Sequence, residues 1–98
     1  MDVEYWLNEI CFRWDHAKAA ENLRKHRTRF ETACEVLFDP FVRWIDAKVV
    51  GGEERNKVIG MTTDWCVLVV VYGELDDAMR LISARPATRR ERQTYESQ

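Results

Sequence analysis

Basic side chains are the groups in this 98-residue sequence most able to do chemistry, and two of them adjoin at Lys25-His26. A histidine exchanges a proton near neutral pH, and cationic neighbours attract phosphate. The pair is therefore a candidate for acid–base work on a phosphate ester. Cations and histidine also suit the carbonyl end of a helix dipole, and the residues alone favour this structural interpretation.

Arg55 is a second candidate, and it follows the turn signal Gly51-Gly52. If its guanidinium projects from a sheet, its planar fork of donors can grip a phosphate. The alternative is a solvated charge pair with Glu54 at the turn, which the residues alone favour.

Arg80 and Arg85 lie in the last strand-like segment of the chain. An unpaired guanidinium buried in an apolar strand would be costly, so Arg80 must face an open groove or pair with an acid. Its possible acidic partners are Glu53, Glu54 and Asp46. Strand alternation puts Arg80 and Arg85 on opposite faces of the sheet, unless a bulge or the strand end re-aims one of them.

The C-terminal segment offers Arg89, Arg92 and Tyr95 on a predicted helix. They could form a surface that binds phosphate or an acidic partner, with the ring of Tyr95 available for stacking on a base. The alternative is a solvated helix face on which Arg92 pairs with Glu96.

The charge of the protein is unevenly distributed. The net charge of −2 argues against a non-specific nucleic-acid binder, and 46% apolar and 33% charged residues are ordinary for a globular protein. Residues 16–30, however, carry five basic residues against one acid, and residues 80–98 carry five against two. The average conceals two basic segments.

Two helices are predicted in the N-terminal half. Asp15 is a good N-cap for a helix that runs to about His26. Thr28 and Glu31 have the spacing of a capping box that starts a second helix, and Asp39-Pro40 ends it. The core-facing positions of the second helix follow a helical spacing and are Phe30, Ala33, Cys34, Leu37 and Phe38.

Strands fill most of the remaining chain. They are predicted at residues 10–14, 41–50, 55–61, 65–72 and 79–84, and the apolar run 65–72 reads as a central strand. Thr88 and Glu91 form a second capping box, for a last helix through about Glu96. Short connections imply mostly antiparallel pairing, so we expect one α+β domain over residues 1–98: a four- to five-stranded antiparallel sheet with two N-terminal helices and one C-terminal helix.

The three cysteines, Cys11, Cys34 and Cys66, lie among apolar neighbours, which favours buried reduced thiols over a disulfide framework or a metal site. We therefore expect no metal and no cofactor. The N-terminus has neither a basic region nor an apolar core of a signal peptide, and the longest apolar run falls far short of the roughly 20 residues of a membrane helix. A cytoplasmic location without membrane contact follows as an expectation.

An ordered set of motifs along residues 12–95 resembles the BrnT toxin family. The motifs are Phe12-Arg13-Trp14-Asp15, Lys18, Asn22-Leu23-Arg24-Lys25-His26, Phe30-Glu31, Ala33, Phe38-Asp39-Pro40, Asp46, Arg55, Gly60, Arg80-Leu81-Ile82-Ser83-Ala84-Arg85, Ala87-Thr88, Glu91-Arg92 and Tyr95. The stretch from Ile82 to Arg85, followed by Ala87-Thr88 and Glu91-Arg92, is the most specific part.

The resemblance implies a RelE-like fold with helices on one side of an antiparallel sheet, and a type II toxin. Such a toxin cuts RNA without a metal and inhibits translation. A BrnA-type antitoxin neutralises it, and operator DNA is bound only through that antitoxin. Arg55, Arg80 and Arg85 would stabilise phosphate charge, Lys25 would steer the substrate, and His26 would carry the proton. Tyr95 or Glu91 could replace His26 in that role.

Two positions depart from the family pattern. Arg27 stands where the family has a glycine after the first helix, and Asp76-Asp77-Ala78 stands where it carries an extra basic residue. The acidic pair lowers the local positive potential. A second function therefore stays open: a catalytically weak, toxin-like binding module that acts mainly in antitoxin complex formation and operon repression.

Overall fold

The computed structural model of the protein describes residues 1–97, which form six strands and three α-helices. In chain order these are β1 (Asp2–Leu7), β2 (Ile10–Asp15), α1 (His16–His26), α2 (Phe30–Cys34), β3 (Arg43–Val50), β4 (Glu53–Met61), β5 (Val67–Glu74), β6 (Met79–Pro86) and α3 (Arg89–Glu96). A 3₁₀ turn at Glu35–Phe38 continues α2.

The strands form one sheet in the order β1-β2-β6-β5-β4-β3. Neighbouring strands are antiparallel except β2 and β6, which are parallel. The α+β class and the mostly antiparallel pairing are confirmed, but the sheet has six strands rather than the four or five predicted. The prediction missed β1, whose Val3, Tyr5 and Leu7 pack on the core while the residues between them are exposed.

Helix α1 begins as predicted, because the carboxylate of Asp15 accepts a hydrogen bond from the backbone N–H of Lys18 at 3.0 Å. It ends at Arg27, which adopts a left-handed conformation with φ 53°. The capping box predicted at Thr28 is wrong, since this hydroxyl donates to the carbonyl of His26 at 3.0 Å and α2 has no side-chain cap.

Helix α2 is only five residues long, and its tightening into a 3₁₀ turn changes which side chains reach the core. Val36 is fully buried, whereas Phe38, a predicted core residue, is exposed. Phe30, Ala33 and Cys34 are buried as predicted.

Helices cover both faces of the sheet, which corrects the expectation of helices on one side. On one face α1 and α2 pack over a core that includes Phe12, Trp14 and Val70. On the other face, α3 covers a smaller cluster around Ile59 and Val69. Because α3 has only eight residues, it leaves the rest of its face uncovered, and we call this remainder the open face.

A bulge in β6 sets which side chains reach the open face. Val71 pairs with Ser83, but the next residue of β5, Tyr72, pairs with Leu81. Strand β6 therefore contains one extra residue, Ile82, at this point.

The extra residue puts Arg80 and Arg85 on the same face. Leu81 and Ala84 both pack in the core beneath α1 and α2, although they are three residues apart. Their neighbours Arg80 and Arg85 must then both point to the opposite face. Simple alternation would have separated them.

Strand β5 is central and buried from Val67 to Val70, as predicted, but it does not include Trp65. Trp65 lies in the turn before it with φ 66°, and 81% of its surface is exposed.

Candidate functional site

Helix α1 lies along the free edge of β6, because β2 pairs with β6 only at its beginning. The buried side-chain amide of Asn22 donates to the carbonyl of Ala84 at 2.8 Å and accepts from its N–H at 3.1 Å. It also donates to the carbonyl of Thr28 at 3.0 Å. These bonds fix the C-terminal end of α1, and with it Lys25 and His26, beside β6.

Lys25 and His26 line a small cavity of about 210 Å³ between α1 and β6, which we call the α1 cavity. Lys18 lies on its helix side, and Ile82 and Ser83 form its strand side. His26 is half-buried. Lys25 is exposed and lies 3.6 Å from the carboxylate of Glu21, a pair that solvent screens.

Arg55 lines a second cavity, of about 300 Å³, on the open face, which we call the β4 cavity. Lys48 and Lys57 also line it, and Ile82 and Ser83 close it on the β6 side. The same two residues of β6 thus border both cavities. The structure brings His26 and Arg55 to opposite sides of this pair.

The guanidinium of Arg55 is not fully satisfied. Its Nε atom is buried and has no hydrogen-bond partner, although Glu53 Oε1 lies 3.8 Å away. No ion pair with Glu54 forms among the described residues, so the predicted turn pair with that residue is not present. A buried N–H without an acceptor is costly, which makes Arg55 a ready donor to an incoming anion.

Arg80 lies on the same face as Arg55, but outside the lining of both cavities. Its Nη1 is 3.7 Å from Asp2 Oδ1, so its ion-pair partner is none of the three predicted acids. In the sheet, Arg80 of β6 lies opposite Gly73 of β5. When the β4–β5 register is continued by one residue, Arg55 of β4 lies opposite Gly73 on its other side. The space left by the missing side chain is taken by Glu53, whose Oε1 would lie 3.3 Å from a Cβ at Gly73.

Arg85 is engaged with α3. Its two terminal nitrogens donate to the two carboxylate oxygens of Glu91 at 2.8 and 2.9 Å. Glu91 also closes the predicted capping box by accepting from the N–H of Thr88 at 2.9 Å. The hydrogen bonds from Arg85 are the main reason that the pKa of Glu91 falls to about 2. Glu91 therefore carries no proton near neutral pH and has none to give to a leaving oxygen.

The sequence also matches a known family of proteins. Residues 14–91, most of the chain, match the family described as the ribonuclease toxin, BrnT, of a type II toxin–antitoxin system. The chain belongs to the BrnT family. A type II system implies an antitoxin partner. The matched residues do not include β1, which precedes them.

Comparison with solved structures shows the same fold. The crystal structure of the Brucella abortus ribonuclease toxin BrnT superposes with a TM-score of 0.62 at 23% sequence identity. The match covers 78% of this chain and 94% of that chain. No curated protein matches the sequence.

Tyr95 is buried in this BrnT-family chain, which corrects its prediction as a stacking surface ring. It packs with Ile59 and Val69, and its hydroxyl donates to Asp39 Oδ2 at 2.5 Å. Burial, and to a smaller extent the hydrogen bond to Asp39, raises the pKa of Tyr95 to about 12. Buried and protonated near neutral pH, it is suited neither to stacking on RNA nor to acting as a base.

Asp39 links β4, α3 and the loop that follows the 3₁₀ turn. Its position at the end of a predicted helix did not indicate this role. Besides the hydroxyl of Tyr95, it accepts the backbone N–H of Met61 at 2.8 Å and of Phe41 at 3.0 Å. Partial burial pushes the pKa of Asp39 upward, but the three hydrogen bonds outweigh it and keep the pKa below its ordinary value.

The basic residues of α3 lie apart from the two cavities. Arg89 is exposed. Arg92 lines a third cavity, of about 540 Å³, together with Arg27, Arg29 and Trp65. No ion pair between Arg92 and Glu96 forms within residues 1–97, so this part of the alternative interpretation of α3 is not present.

The cysteines only partly match their prediction. Cys11 and Cys34 are buried, and burial raises the pKa of the Cys34 thiol to about 12, whereas Cys66 is exposed. Within residues 1–97, no three side chains of His, Cys, Asp or Glu are grouped so that they could hold a metal ion. Of the helices described, none has the length and apolar character to cross a membrane.

Proposed function

We propose that this chain is a metal-independent endoribonuclease that acts as a single domain. In this proposal the RNA lies over Ile82 and Ser83 of β6 when it is cleaved. The observation that carries the proposal is the position of His26 and Arg55. They line two neighbouring cavities that share these two residues. A proton carrier and a phosphate-binding cation therefore flank one short stretch of strand.

The proposed reaction is attack of a ribose 2′-hydroxyl on the adjacent phosphorus. The 2′-oxygen forms a bond to phosphorus while the bond from phosphorus to the 5′-oxygen of the next nucleotide breaks. The hydroxyl proton passes to a base, and an acid supplies a proton to the leaving oxygen. Side chains that supply the base, the acid and positive charge suffice for this reaction.

In this proposal His26 takes the proton from the 2′-hydroxyl and returns it to the leaving 5′-oxygen, and Lys25 draws the phosphate chain towards it. The unpartnered Nε of Arg55 gains an acceptor when a phosphate oxygen enters the β4 cavity. Arg80, across Gly73 from Arg55, adds charge stabilisation when it leaves Asp2. Arg85 positions α3 through Glu91 rather than binding substrate.

We propose further that a BrnA-type antitoxin neutralises this activity in the cytoplasm, and that operator DNA is bound only through the antitoxin. The family supports the first part. The net charge of −2 supports the second, since such a chain has little intrinsic attraction for DNA.

A catalytically weak binding module is the competing function. It is favoured by the acids that pair with the candidate cations, namely Glu53 with Arg55, Asp2 with Arg80 and Glu91 with Arg85. Each pair reduces the positive charge that is available to RNA.

The test is cleavage of labelled RNA by purified protein in buffer containing EDTA. His26→Ala should reduce the rate by about 10²–10⁴-fold, the usual contribution of a proton-transfer group. His16→Ala is the matched control, because His16 is exposed at the other end of α1 and should leave the rate unchanged. Circular dichroism establishes that each variant is folded.

Arg55→Ala should also slow cleavage, and expression of either active-site variant should no longer arrest growth. Growth arrest by wild type should disappear when the neighbouring antitoxin gene is co-expressed. A folded His26→Ala protein that cleaves like wild type would remove His26 from the mechanism. Wild type that binds its antitoxin but cleaves no RNA would establish the competing function.

A further inference from the structure

The cavity of about 540 Å³ at the end of the sheet has no assigned role, and we call it the Trp65 cavity. We propose that it binds a nucleotide of single-stranded RNA outside the cleavage site, with the base stacked on Trp65 and the phosphate held by Arg27, Arg29 and Arg92. This inference rests on the proposed function, because it extends the path of the same RNA.

Trp65 is an exposed ring on a rigid loop. The backbone N–H of Trp65 donates to the carbonyl of Thr62 at 3.0 Å, and the backbone N–H of Thr62 donates to the carbonyl of Cys66 at 2.8 Å. Glu35 Oε1 accepts from both the N–H and the hydroxyl of Thr63, each at 2.9 Å. The loop is therefore tied to itself and to the 3₁₀ turn after α2.

The backbone of Trp65 is strained as well as fixed. A φ of 66° is unfavourable for a bulky side chain and persists only where the surroundings impose it. The result is a tryptophan residue with 81% of its surface exposed and little backbone freedom to lose on binding. Such a ring is a suitable platform for a base, because stacking on an aromatic side chain tolerates any base.

The charges around the ring favour a phosphate. Arg27, Arg29 and Arg92 line the cavity, whereas Glu96 is the acid that lines it. Arg29 has a loose contact with Glu31 at 3.5 Å, and the other two arginines have no ion pair within residues 1–97. An exposed ring beside an excess of guanidinium groups matches a base with its phosphate.

The Trp65 cavity adjoins the α1 cavity through the chain itself. Arg27 directly follows His26, so their Cα atoms are about 3.8 Å apart. The left-handed turn at Arg27 ends α1, so that His26 lines the α1 cavity and Arg27 the Trp65 cavity. An RNA strand that leaves His26 around the end of α1 therefore meets Arg27 next.

The first experiment measures the affinity of fluorescent, fully 2′-O-methylated RNA, which cannot be cleaved. Trp65→Ala should weaken the binding of an oligonucleotide of about eight nucleotides by about 5- to 150-fold, the loss of one stacked base. Trp65→Phe should keep most of the affinity. Trp44→Ala is the matched control, since Trp44 is also exposed but lines none of the three cavities.

The second experiment tests the phosphate contact. Arg92→Ala should weaken binding and reduce the slope of log affinity against log salt concentration by about 0.7, as expected for one phosphate of a single strand. Arg90→Ala, an exposed arginine of the same helix outside the cavity, should change neither quantity.

Cleavage separates this inference from the proposed function. In Trp65→Ala, kcat/KM should fall for the long RNA and stay at the wild-type value for a dinucleotide, which is too short to reach the ring. Folded Trp65→Ala and Arg92→Ala proteins that bind the long RNA as wild type does would overturn the inference while leaving cleavage at His26 intact. Loss of antitoxin binding alone would also overturn it, because the cavity would then be a protein-binding surface.

Discussion

The side-chain amide of Asn22 pairs with both backbone groups of Ala84, donating at 2.8 Å and accepting at 3.1 Å. It hydrogen-bonds to β6 as a neighbouring strand would, at a position where β2 has already turned into α1. The placement of Lys25 and His26 against β6 depends on this contact.

Asn22→Leu should lower the free energy of unfolding by about 2–4 kcal/mol, because it leaves buried N–H and carbonyl groups without partners. Urea denaturation measures this loss. Asn22→Asp should also be destabilising, since a carboxylate can accept from the N–H of Ala84 but cannot donate to either carbonyl. A loss below about 0.5 kcal/mol for Asn22→Leu would show that α1 is held mainly by other contacts.

Tyr95→Phe should lower the free energy of unfolding by about 1–2 kcal/mol, because it removes the bond to Asp39 and keeps the buried ring. For a chain of this size, Tm should fall by about 4–8 °C for each kcal/mol. RNA cleavage below the melting temperature should be unchanged. Unchanged Tm with reduced cleavage would instead return Tyr95 to the catalytic group.

Arg27→Gly should stabilise the protein by about 0.5–1 kcal/mol, because glycine adopts the left-handed conformation without strain. Thermal unfolding measures the gain. Arg29→Gly is the control at the neighbouring cap of α2, where φ is −85° and no strain is relieved. Equal changes in Tm for the two variants would contradict this explanation.

The contact between Arg85 and Glu91 should make stability depend on acid pH. The folded pKa of Glu91, about 2, lies below its ordinary value of 4.5, so the stabilisation is complete above about pH 5 and disappears as pH falls towards 2. With allowance for partial exposure of the pair, Glu91→Gln should be less stable than wild type by about 2 kcal/mol at pH 7. The difference should close near pH 2, and a difference independent of pH would exclude this carboxylate as its source.

Asp2→Asn should release Arg80 for RNA and raise kcat/KM by up to about fivefold, since exposed ion pairs contribute up to about 1 kcal/mol. Stability should change little. Glu4→Gln is the matched control, because it removes one of the two acids that pair with Arg13 and leaves the pair of Arg80 intact. A variant of Asp2 with wild-type kinetics would show that the ion pair does not restrain Arg80.

Features set by neighbouring residues could be predicted from the sequence. The caps at Asp15 and Thr88 are examples, because each is completed within three residues. The family resemblance is also confirmed, since it depends on the order of many motifs. Pairings between distant segments could not be predicted, as β1 and the parallel contact of β2 with β6 show.

The candidate site was predictable only in its residue types. Lys25, His26 and Arg55 were singled out, but the partners of Arg80 and Arg85 depend on the bulge and on β1. The burial of Tyr95 had a signal, because it is the single apolar side chain of α3 and must supply the contact of that helix with the sheet. Trp65 was hidden in an apolar run that resembled the start of a strand.

Because of the extra residue at Ile82, the sheet face to which Arg80 and Arg85 point depends on the number of residues between them. Deletion of Ile82 alone would remove no charged residue from the protein. It would nevertheless shift one part of β6 by one residue relative to the other, and turn either Arg80 or Arg85 towards the core. The gene could thus lose a charge from the open face through a mutation that no survey of charged positions would detect.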